Sequence, residues 1–240
     1  MPLDCTGDNL PKKIPIIKIE ETPSGLDDFC QILNLGDEVL LHQPVVKKNR
    51  AYYYWFILEA DDFPLAVCEL EKYADYAAQQ DQWSGRRADY LIIGYYEGDC
   101  YLIVVELRHV LVKEKQDDDK FKQLLESIEQ IIRYLASFNG SETLEQVYSN
   151  PDSYKIIGAI VAPGNTKSFN RRELNPIRSV GSHKVLLRTL PKDALADCKI
   201  TWTDFIQRMG VLPNQKKGQT NSEFNIPAHP NPNQARSESR

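Results

Sequence analysis

The stretch GRRADYLIIGYYEGDCYLIVVELR, residues 85–108, has the pattern of a β-hairpin built for burial. Two runs of aliphatic, β-branched and aromatic residues flank Glu97–Gly98, and glycine supplies the positive φ that a two-residue hairpin turn needs. Both faces of the predicted strands are apolar, which is typical of central strands covered on both sides. The hairpin nevertheless carries Asp89 near one end and Glu106 and Arg108 near the other, so these charges need an explanation.

The position of the turn sets which residues of the two strands lie opposite each other. With Glu97–Gly98 at the centre, the numbers of opposed residues add to 195, so Asp89 faces Glu106. Side chains alternate between the faces of a strand, so Glu106 and Arg108 share one face. Two opposed carboxylates repel and lose the ~0.2–1 kcal/mol that a cross-strand pair usually contributes. A divalent cation or Arg108 would compensate them; alternatively, the hairpin end is solvated and the charges form a harmless rim.

Composition and charge are those of an ordinary globular protein. The 240 residues are 42% hydrophobic and 26% charged, with a formal net charge of -5, which argues against a protein that coats nucleic acid through positive charge alone. The five cysteines are scattered, with no CxxC pair and no neighbouring histidines, so we expect neither a disulfide framework nor a zinc site. The N-terminal residues have no apolar signal segment, and no apolar run is long enough to span a membrane. We therefore expect a soluble, cytoplasmic protein that does not engage a membrane.

The order of the predicted elements indicates an α/β fold with a mixed central β-sheet flanked by helices. Apolar patterns predict strands at residues 14–20, 38–46, 51–59, 154–163 and 183–190, beside the hairpin, and helices at 63–80, 117–140 and 201–210. Residues 1–13 are expected to be a loose N-terminus and residues 14–213 a single domain. Residues 214–240, rich in Asn, Pro, Ser and Gln, are expected to be a disordered polar tail.

Three short motifs occur in order on a predicted strand, the next strand and the following helix. They are GRRAD at 85–89, ELR at 106–108 and QIIRY at 130–134. Their order resembles that of the PD-(D/E)XK nuclease superfamily, particularly its RecB-like branch, which has GhxxD, then an acidic residue-x-Lys, then QxxxY. The resemblance covers roughly residues 63–165 and implies a restriction-endonuclease-like core.

The resemblance also implies a metal site. Asp89 and Glu106 would be ligands of a magnesium or manganese ion, and the backbone carbonyl of Leu107 would be a further ligand. Glu69, on the preceding predicted helix, stands where the superfamily often places an extra carboxylate; a solvated helix glutamate is the alternative interpretation. Oxygen ligands of this kind suit hard divalent cations.

Other residues would complete a catalytic site by the same resemblance. Gln130 and Tyr134 would line it, and a helical projection places them with Gln123 and Ser127 on one uncharged polar stripe, although a polar helix flank that touches a loop would look the same. Arg108 stands where the family has lysine. Arginine keeps the positive charge but does not lose its proton, and it binds carboxylates through a two-pronged fork. Arg108 would therefore either contact the phosphate or hold the two acids in an inactive site.

These observations lead to one expected function and two alternatives. We expect a metal-dependent nuclease that hydrolyses phosphodiester bonds, in DNA rather than RNA. The first alternative is a catalytically inactive nuclease-fold protein that acts as a nucleic-acid-binding or assembly module, with a protein partner or a second copy of itself. The second is an α/β interaction protein whose motif matches arose by chance. Three basic clusters are candidate nucleic-acid contacts. The first comprises Arg86 and Arg87, the second Arg171, Arg172 and Arg178, and the third Lys47, Lys48 and Arg50.

Overall fold

A seven-stranded mixed sheet organises the part of the chain that the computed structural model describes, which comprises residues 5–7, 10–12, 14–19, 22–47, 50–108, 114–136, 154–163 and 177–210. Within these residues the elements are, in chain order, β1 (Thr6–Gly7), β2 (Cys30–Leu33), β3 (Glu38–Lys47), β4 (Arg50–Glu59), β5 (Leu65–Glu69), α1 (Leu70–Ala78), β6 (Tyr90–Tyr96), β7 (Asp99–Leu107), α2 (Glu114–Ala136), β8 (Tyr154–Ala162), β9 (Ile177–Val180), β10 (His183–Pro191), β11 (Lys199–Thr201) and α3 (Trp202–Gly210). Two 3₁₀ turns, Leu26–Phe29 and Lys192–Ala194, complete the set. The α/β class with a mixed sheet is confirmed.

The large sheet has the strand order β2-β5-β6-β7-β8-β10-β9. Along this order the pairs β2–β5, β5–β6 and β6–β7 are antiparallel. The pairs β7–β8 and β8–β10 are parallel, and the pair β10–β9 is antiparallel. The helix α2 is the crossover that parallel pairing of β7 with β8 requires. The predicted buried strand at 154–163 is therefore β8, in the middle of the sheet.

The β6–β7 hairpin has the predicted register. Tyr90 pairs with Val105 and Tyr96 with Asp99, so the numbers of opposed residues add to 195. Glu97 and Gly98 both have positive φ, at 50° and 83°, as a two-residue hairpin turn requires. The register is regular as far as Tyr90 and Val105, so the next residues, Asp89 and Glu106, come to the same end of the hairpin.

The two faces of the large sheet pack against different layers. Leu91, Leu102 and Val104 belong to the core beneath α1 and α2. Ile92, Ile103 and Val105 face a second core, which contains residues of the four-stranded sheet β1, β3, β4 and β11 and of α3. The hairpin is apolar on both faces because a layer covers each of them.

Several sequence-based predictions of elements are wrong. The helix predicted at 63–80 begins only at Leu70, because Leu65–Glu69 is a strand whose five residues are all buried. No strand forms at residues 14–19. The N-terminus, expected to be loose, contains buried Cys5 and the strand β1, which pairs with β4. The predicted tail at 214–240 and the end of the second predicted helix beyond Ala136 lie outside the described residues.

The cysteine prediction is also wrong. Disulfides join Cys5 to Cys198 and Cys30 to Cys68, and the buried Cys100 belongs to neither of them. The expectation of a cytoplasmic location, which is a reducing compartment, depended in part on the absence of a disulfide framework. That premise does not hold.

Candidate active site

The open end of the β6–β7 hairpin brings two acidic side chains together in a buried position. Asp89 is 6% exposed and Glu106 is 4% exposed. The backbone N–H of Asp89 donates to the carbonyl of Val105, the register partner of Tyr90, at 3.0 Å, so the regular ladder ends in a bend at Asp89. Asp89 is nevertheless a neighbour of the Glu106 segment, because the charge of Glu106 acts on its carboxyl group. In return, Asp89 Oδ2 accepts the backbone N–H of Leu107 at 2.5 Å.

Burial and mutual repulsion both disfavour the charged forms of this pair. Burial raises the pKa of Asp89 well above its usual range, and the charge of Glu106 raises it further, against the opposing effect of the Leu107 N–H. Burial also raises the pKa of Glu106, whereas the nearby Lys120 ammonium lowers it. The two carboxyl groups are coupled, and the charge of Lys120 lowers the pKa of both.

Helix α2 supplies a lysine that sequence analysis did not single out. Lys120 Nζ donates to Glu106 Oε1 and, at 2.7 Å, to Gln123 Oε1. Gln123 Nε2 donates to Glu106 Oε2 at 2.7 Å and also to the backbone carbonyl of Arg87. Glu106 is thus held at both oxygens by side chains one helical turn apart. Lys120 lies three residues before Gln123, so extending the predicted polar stripe by one turn would have found it.

The same helix fixes the loop that carries Asp89. Ser127, which is fully buried, accepts the backbone N–H of Ala88 at 2.8 Å. Glu126 Oε2 accepts the backbone N–H of Arg86 at 3.0 Å. Gly85 has a φ of +97°, and a Cβ there would meet Glu126 Oε2 at 3.3 Å, so this turn requires glycine. We call these contacts from Gln123, Glu126 and Ser127 to the backbone of residues 86–88 the α2 clamp.

The structure places Glu69 away from the acidic pair. Glu69 is the last residue of β5 rather than a helical residue, and it pairs in register with Tyr90, which belongs to the opposite face of the sheet. Its carboxylate forms an ion pair with Lys72 at 2.6 Å. Glu71, in the first turn of α1, is the third acid of this region: its charge raises the pKa of both Asp89 and Glu106, and its backbone N–H donates to the carbonyl of Asp89 at 3.2 Å.

The QxxxY residues extend along α2 away from the carboxylates. At a rise of ~1.5 Å per residue, Gln130 lies about 10 Å and Tyr134 about 16 Å beyond Gln123. The Tyr134 ring contacts Tyr73 at 5.7 Å between centroids, and burial together with the charge of Asp27 raises the pKa of Tyr134 to about 12. The helix residues at the acidic pair are therefore Lys120 and Gln123.

A cationic cleft opens beside Glu106. Its volume is about 300 Å³, and it is lined by Arg86, Arg108, Asp119, Lys120 and Gln123. Arg108 stands just after β7, where its backbone N–H donates to the carbonyl of Val161 at 2.9 Å, and its charge lowers the pKa of Glu106. We call this feature the phosphate cleft. Arg87 instead forms an ion pair with Asp75.

Other predicted contacts are remote or undescribed. Arg178 lies on the edge strand β9. Arg171 and Arg172, and the side chains of Lys47, Lys48 and Arg50, fall outside the described residues.

The donor atoms at the acidic pair suit a hard divalent cation. Asp89, Glu106 and the Leu107 carbonyl offer only oxygen, which magnesium and manganese prefer. Among the described residues, however, no three His, Cys, Asp or Glu side chains are grouped closely enough to bind a metal ion together. Any ion here would thus have two carboxylate ligands at most and would keep several waters, as magnesium commonly does.

Comparison of the chain with protein-family models, with curated proteins and with solved structures yields no match. None of the described helices has the length and apolarity that crossing a membrane requires.

Proposed function

We propose that this protein is a metal-dependent nuclease with a restriction-endonuclease-like core, which hydrolyses phosphodiester bonds in nucleic acid, DNA in particular. The observation that carries the proposal is the buried Asp89–Glu106 pair directly beside a cleft lined by three cations. Two buried acids in contact destabilise the fold unless a charge compensates them, whereas a phosphodiester requires nearby positive charge. A site that binds both a cation and a phosphate meets the two requirements together.

In this proposal Asp89, Glu106 and the Leu107 carbonyl would hold a magnesium or manganese ion, and Glu71 would add negative charge nearby. The ion supplies a bound water of lowered pKa and screens charge on the phosphate. The chain's own residues do the rest. Gln123 and Lys120 orient Glu106, the Leu107 N–H orients Asp89, and Arg108 contacts a non-bridging phosphate oxygen.

Lys120 has the role in this proposal that the family motif gives to the strand residue at position 108. A lysine ammonium is a compact point charge that can approach an attacking water, whereas an arginine fork suits a phosphate. The contact between Lys120 and Glu106 provides such a charge at the acidic pair from the helix instead of the strand. The substitution of arginine for lysine in ELR therefore does not by itself favour an inactive site.

A cleavage assay on purified full-length protein, with magnesium and then manganese, tests the proposal. We expect Asp89→Asn and Glu106→Gln each to lower cleavage of DNA by about a hundredfold or more, because the charge stabilisation supplied by a catalytic metal amounts to several kcal/mol. Asp99→Asn is the matched control: it removes an acid from the same strand as Glu106, where Asp99 pairs with Lys155 on the surface. Cleavage that survives loss of both buried acids would refute the assignment.

The two cations can be separated in the same assay. We expect Lys120→Gln to lower kcat, because Lys120 contacts Glu106, and Arg108→Gln to act mainly on KM, because Arg108 lines the cleft.

One observation favours the catalytically inactive alternative. Both carboxylate oxygens of Glu106 already have donors within the protein, Lys120 at one and Gln123 at the other. Such a site could serve as a metal-free binding module for nucleic acid. Absence of cleavage, together with unchanged thermal stability on addition of magnesium, would favour this function.

A further inference from the structure

The phosphate cleft combines three positive charges from three different segments of the chain. Arg86 comes from the loop before β6, Arg108 from the end of β7 and Lys120 from the first half of α2. Among the residues that the structure describes, Asp119 and Gln123 complete the lining. Arginine forks and lysine ammonium groups are the side chains that bind phosphate oxygens most strongly.

We infer that the phosphate cleft is a binding site for the phosphate group of a single nucleotide and that it binds this group without a divalent cation. The choice of a nucleotide as ligand rests on the proposed function, whereas the cationic lining alone carries the binding. A volume of about 300 Å³ lies at the lower end of small-molecule sites, so the cleft has room for one nucleotide unit.

Two of the three cations, Arg86 and Lys120, are held in place before any ligand arrives. Arg86 Nη1 donates to the backbone carbonyl of Asp119 at 3.1 Å, and the Arg86 backbone is fixed through the α2 clamp. Lys120 is held by Glu106 and Gln123. Fixing side chains in advance lowers the entropy that binding must remove, and this raises affinity.

Asp119 makes the inference specific, because it is the acid in the lining. Its carboxylate lies 3.8 Å from Arg86 Nη1 and is 72% exposed, so it opposes a phosphate at the cleft mouth. Removing Arg86 and removing Asp119 should thus change phosphate affinity in opposite directions. A merely structural role for the Arg86–Asp119 contact would make both changes act in the same direction.

Isothermal titration calorimetry on the full chain in excess EDTA tests the inference, with inorganic phosphate, a nucleoside 5′-monophosphate and the parent nucleoside as probes. We expect the monophosphate and phosphate to bind and the nucleoside to bind at least tenfold more weakly. Arg86→Gln and Arg108→Gln should each weaken monophosphate binding about tenfold, as loss of one charged hydrogen bond does. Asp119→Asn should tighten it about two- to fivefold.

The control is Lys122→Gln, which removes one positive charge from an exposed position on α2 outside the cleft lining. Its affinity should stay within twofold of wild type. Equal binding of nucleoside and monophosphate, or equal effects of Arg86→Gln and Lys122→Gln, would overturn the inference. A protein that binds the monophosphate in EDTA yet never cleaves DNA would overturn only the proposed nuclease. One that cleaves DNA yet binds no monophosphate would overturn only this site.

Discussion

The fold does not require acidic side chains at the buried positions of Asp89 and Glu106. Every other position on their face of the β6–β7 hairpin is apolar and packs beneath the helices, so two hydrophobic residues would also fit the layer. The pair instead keeps two acids with raised pKa values, of which Glu106 contacts Lys120. Destabilising groups of this kind persist where function requires them, which is why the pair supports an active site.

The raised pKa of Asp89 predicts how stability depends on pH. A folded-state pKa above the unfolded value means that the folded state holds the proton more tightly, so stability falls as pH rises from about 4 toward the folded pKa. We expect Asp89→Asn to be more stable than wild type at pH 7, by about 1.4 kcal/mol for each pH unit by which the folded pKa exceeds the unfolded one. Below about pH 4 the two proteins should converge.

Urea unfolding of both proteins from pH 3 to pH 8 measures this difference. Magnesium should then stabilise the wild type more than the variant, because it compensates the Asp89 charge. A constant difference across the whole pH range would mean that the carboxylate does not titrate in this window.

At the residue scale, the position of the acidic pair was predictable from the sequence but most of its contacts were not. The period of two along a strand and the Glu97–Gly98 turn suffice to bring Asp89 and Glu106 to the same end of the hairpin, although the regular register ends one residue earlier, at Tyr90 and Val105. The polar stripe of α2 includes Gln123 and, when extended by one turn, Lys120, but the sequence does not determine which turn of the helix meets the end of β7. Glu69 was chosen instead of Glu71 because the boundary between β5 and α1 was misplaced.

Among the elements, α2 has two roles. Its apolar side, with Leu124 and Ile128, covers the large sheet. Its polar side holds the loop that ends in Asp89 through the α2 clamp. The geometry of the acidic pair is thus set jointly by the hairpin register and by the helix that crosses over it.

Ser127 is the part of the α2 clamp where a small change tests this role. Ser127→Ala removes the acceptor of the buried Ala88 N–H, and leaving such a donor unsatisfied costs about 1–3 kcal/mol. We expect the free energy of unfolding to fall by that amount, and any cleavage activity to fall with it as the Asp89 loop loosens. Chemical denaturation measures the first effect.

The control for this prediction is Ser179→Ala, at an exposed position of the edge strand β9. It should change stability by less than about 0.5 kcal/mol. If the two variants behave alike, the buried hydroxyl does not stabilise the loop.

At the element scale, the secondary-structure predictions were wrong where the apolar pattern of a segment fits both a strand and a helix. The segment Leu65–Glu69 is apolar at nearly every position, which suits both a buried strand and the start of an apolar helix. Its neighbours β2 and β6 decide the matter by pairing along both of its edges. The isolated hairpin, by contrast, contains its own pairing partner, and its strands were predicted correctly.

On the scale of the whole molecule, the two ends of the described chain meet along one strand. β3 pairs along the whole length of β4, so β1 and β11 share the other edge of β4 end to end. The backbone N–H of Trp55 donates to the carbonyl of Cys5, and that of Ile57 donates to the carbonyl of Cys198. The disulfide Cys5–Cys198 joins these two edge segments across a separation of 193 residues.

No local sequence pattern predicts the disulfide between Cys5 and Cys198. Cysteines so far apart become neighbours only through the pairing of β4, and an odd count of scattered cysteines argues against a disulfide framework. The pairing of Cys30 with Cys68 has the same origin, because those residues meet in the β2–β5 register. The strand topology, rather than the spacing of the cysteines in the sequence, determines which cysteines form disulfides.

The two disulfides should stabilise the fold by different amounts. Closing a loop restricts the unfolded chain in proportion to the logarithm of loop length, and the separations are 193 and 38 residues. The link Cys5–Cys198 should therefore contribute about 1.4 kcal/mol more than Cys30–Cys68. We expect urea unfolding to show a larger loss of the free energy of unfolding for Cys5→Ala/Cys198→Ala than for Cys30→Ala/Cys68→Ala, each compared with wild type. A reductant breaks the disulfide that remains in each double variant, so the part of the difference that comes from the cross-links should disappear.

Thiol counting is the control for this prediction, because it establishes which bonds are present before their energies are compared. Four of the five cysteines are in disulfides and Cys100 is not, so the denatured, unreduced protein should react with a thiol reagent at one position, and at five after reduction. Five reactive thiols without reduction would show that both bonds are absent. Equal losses from the two double variants, with one thiol counted in the wild type, would mean that the unfolded chain is already compact, because residual structure removes the advantage of the longer loop.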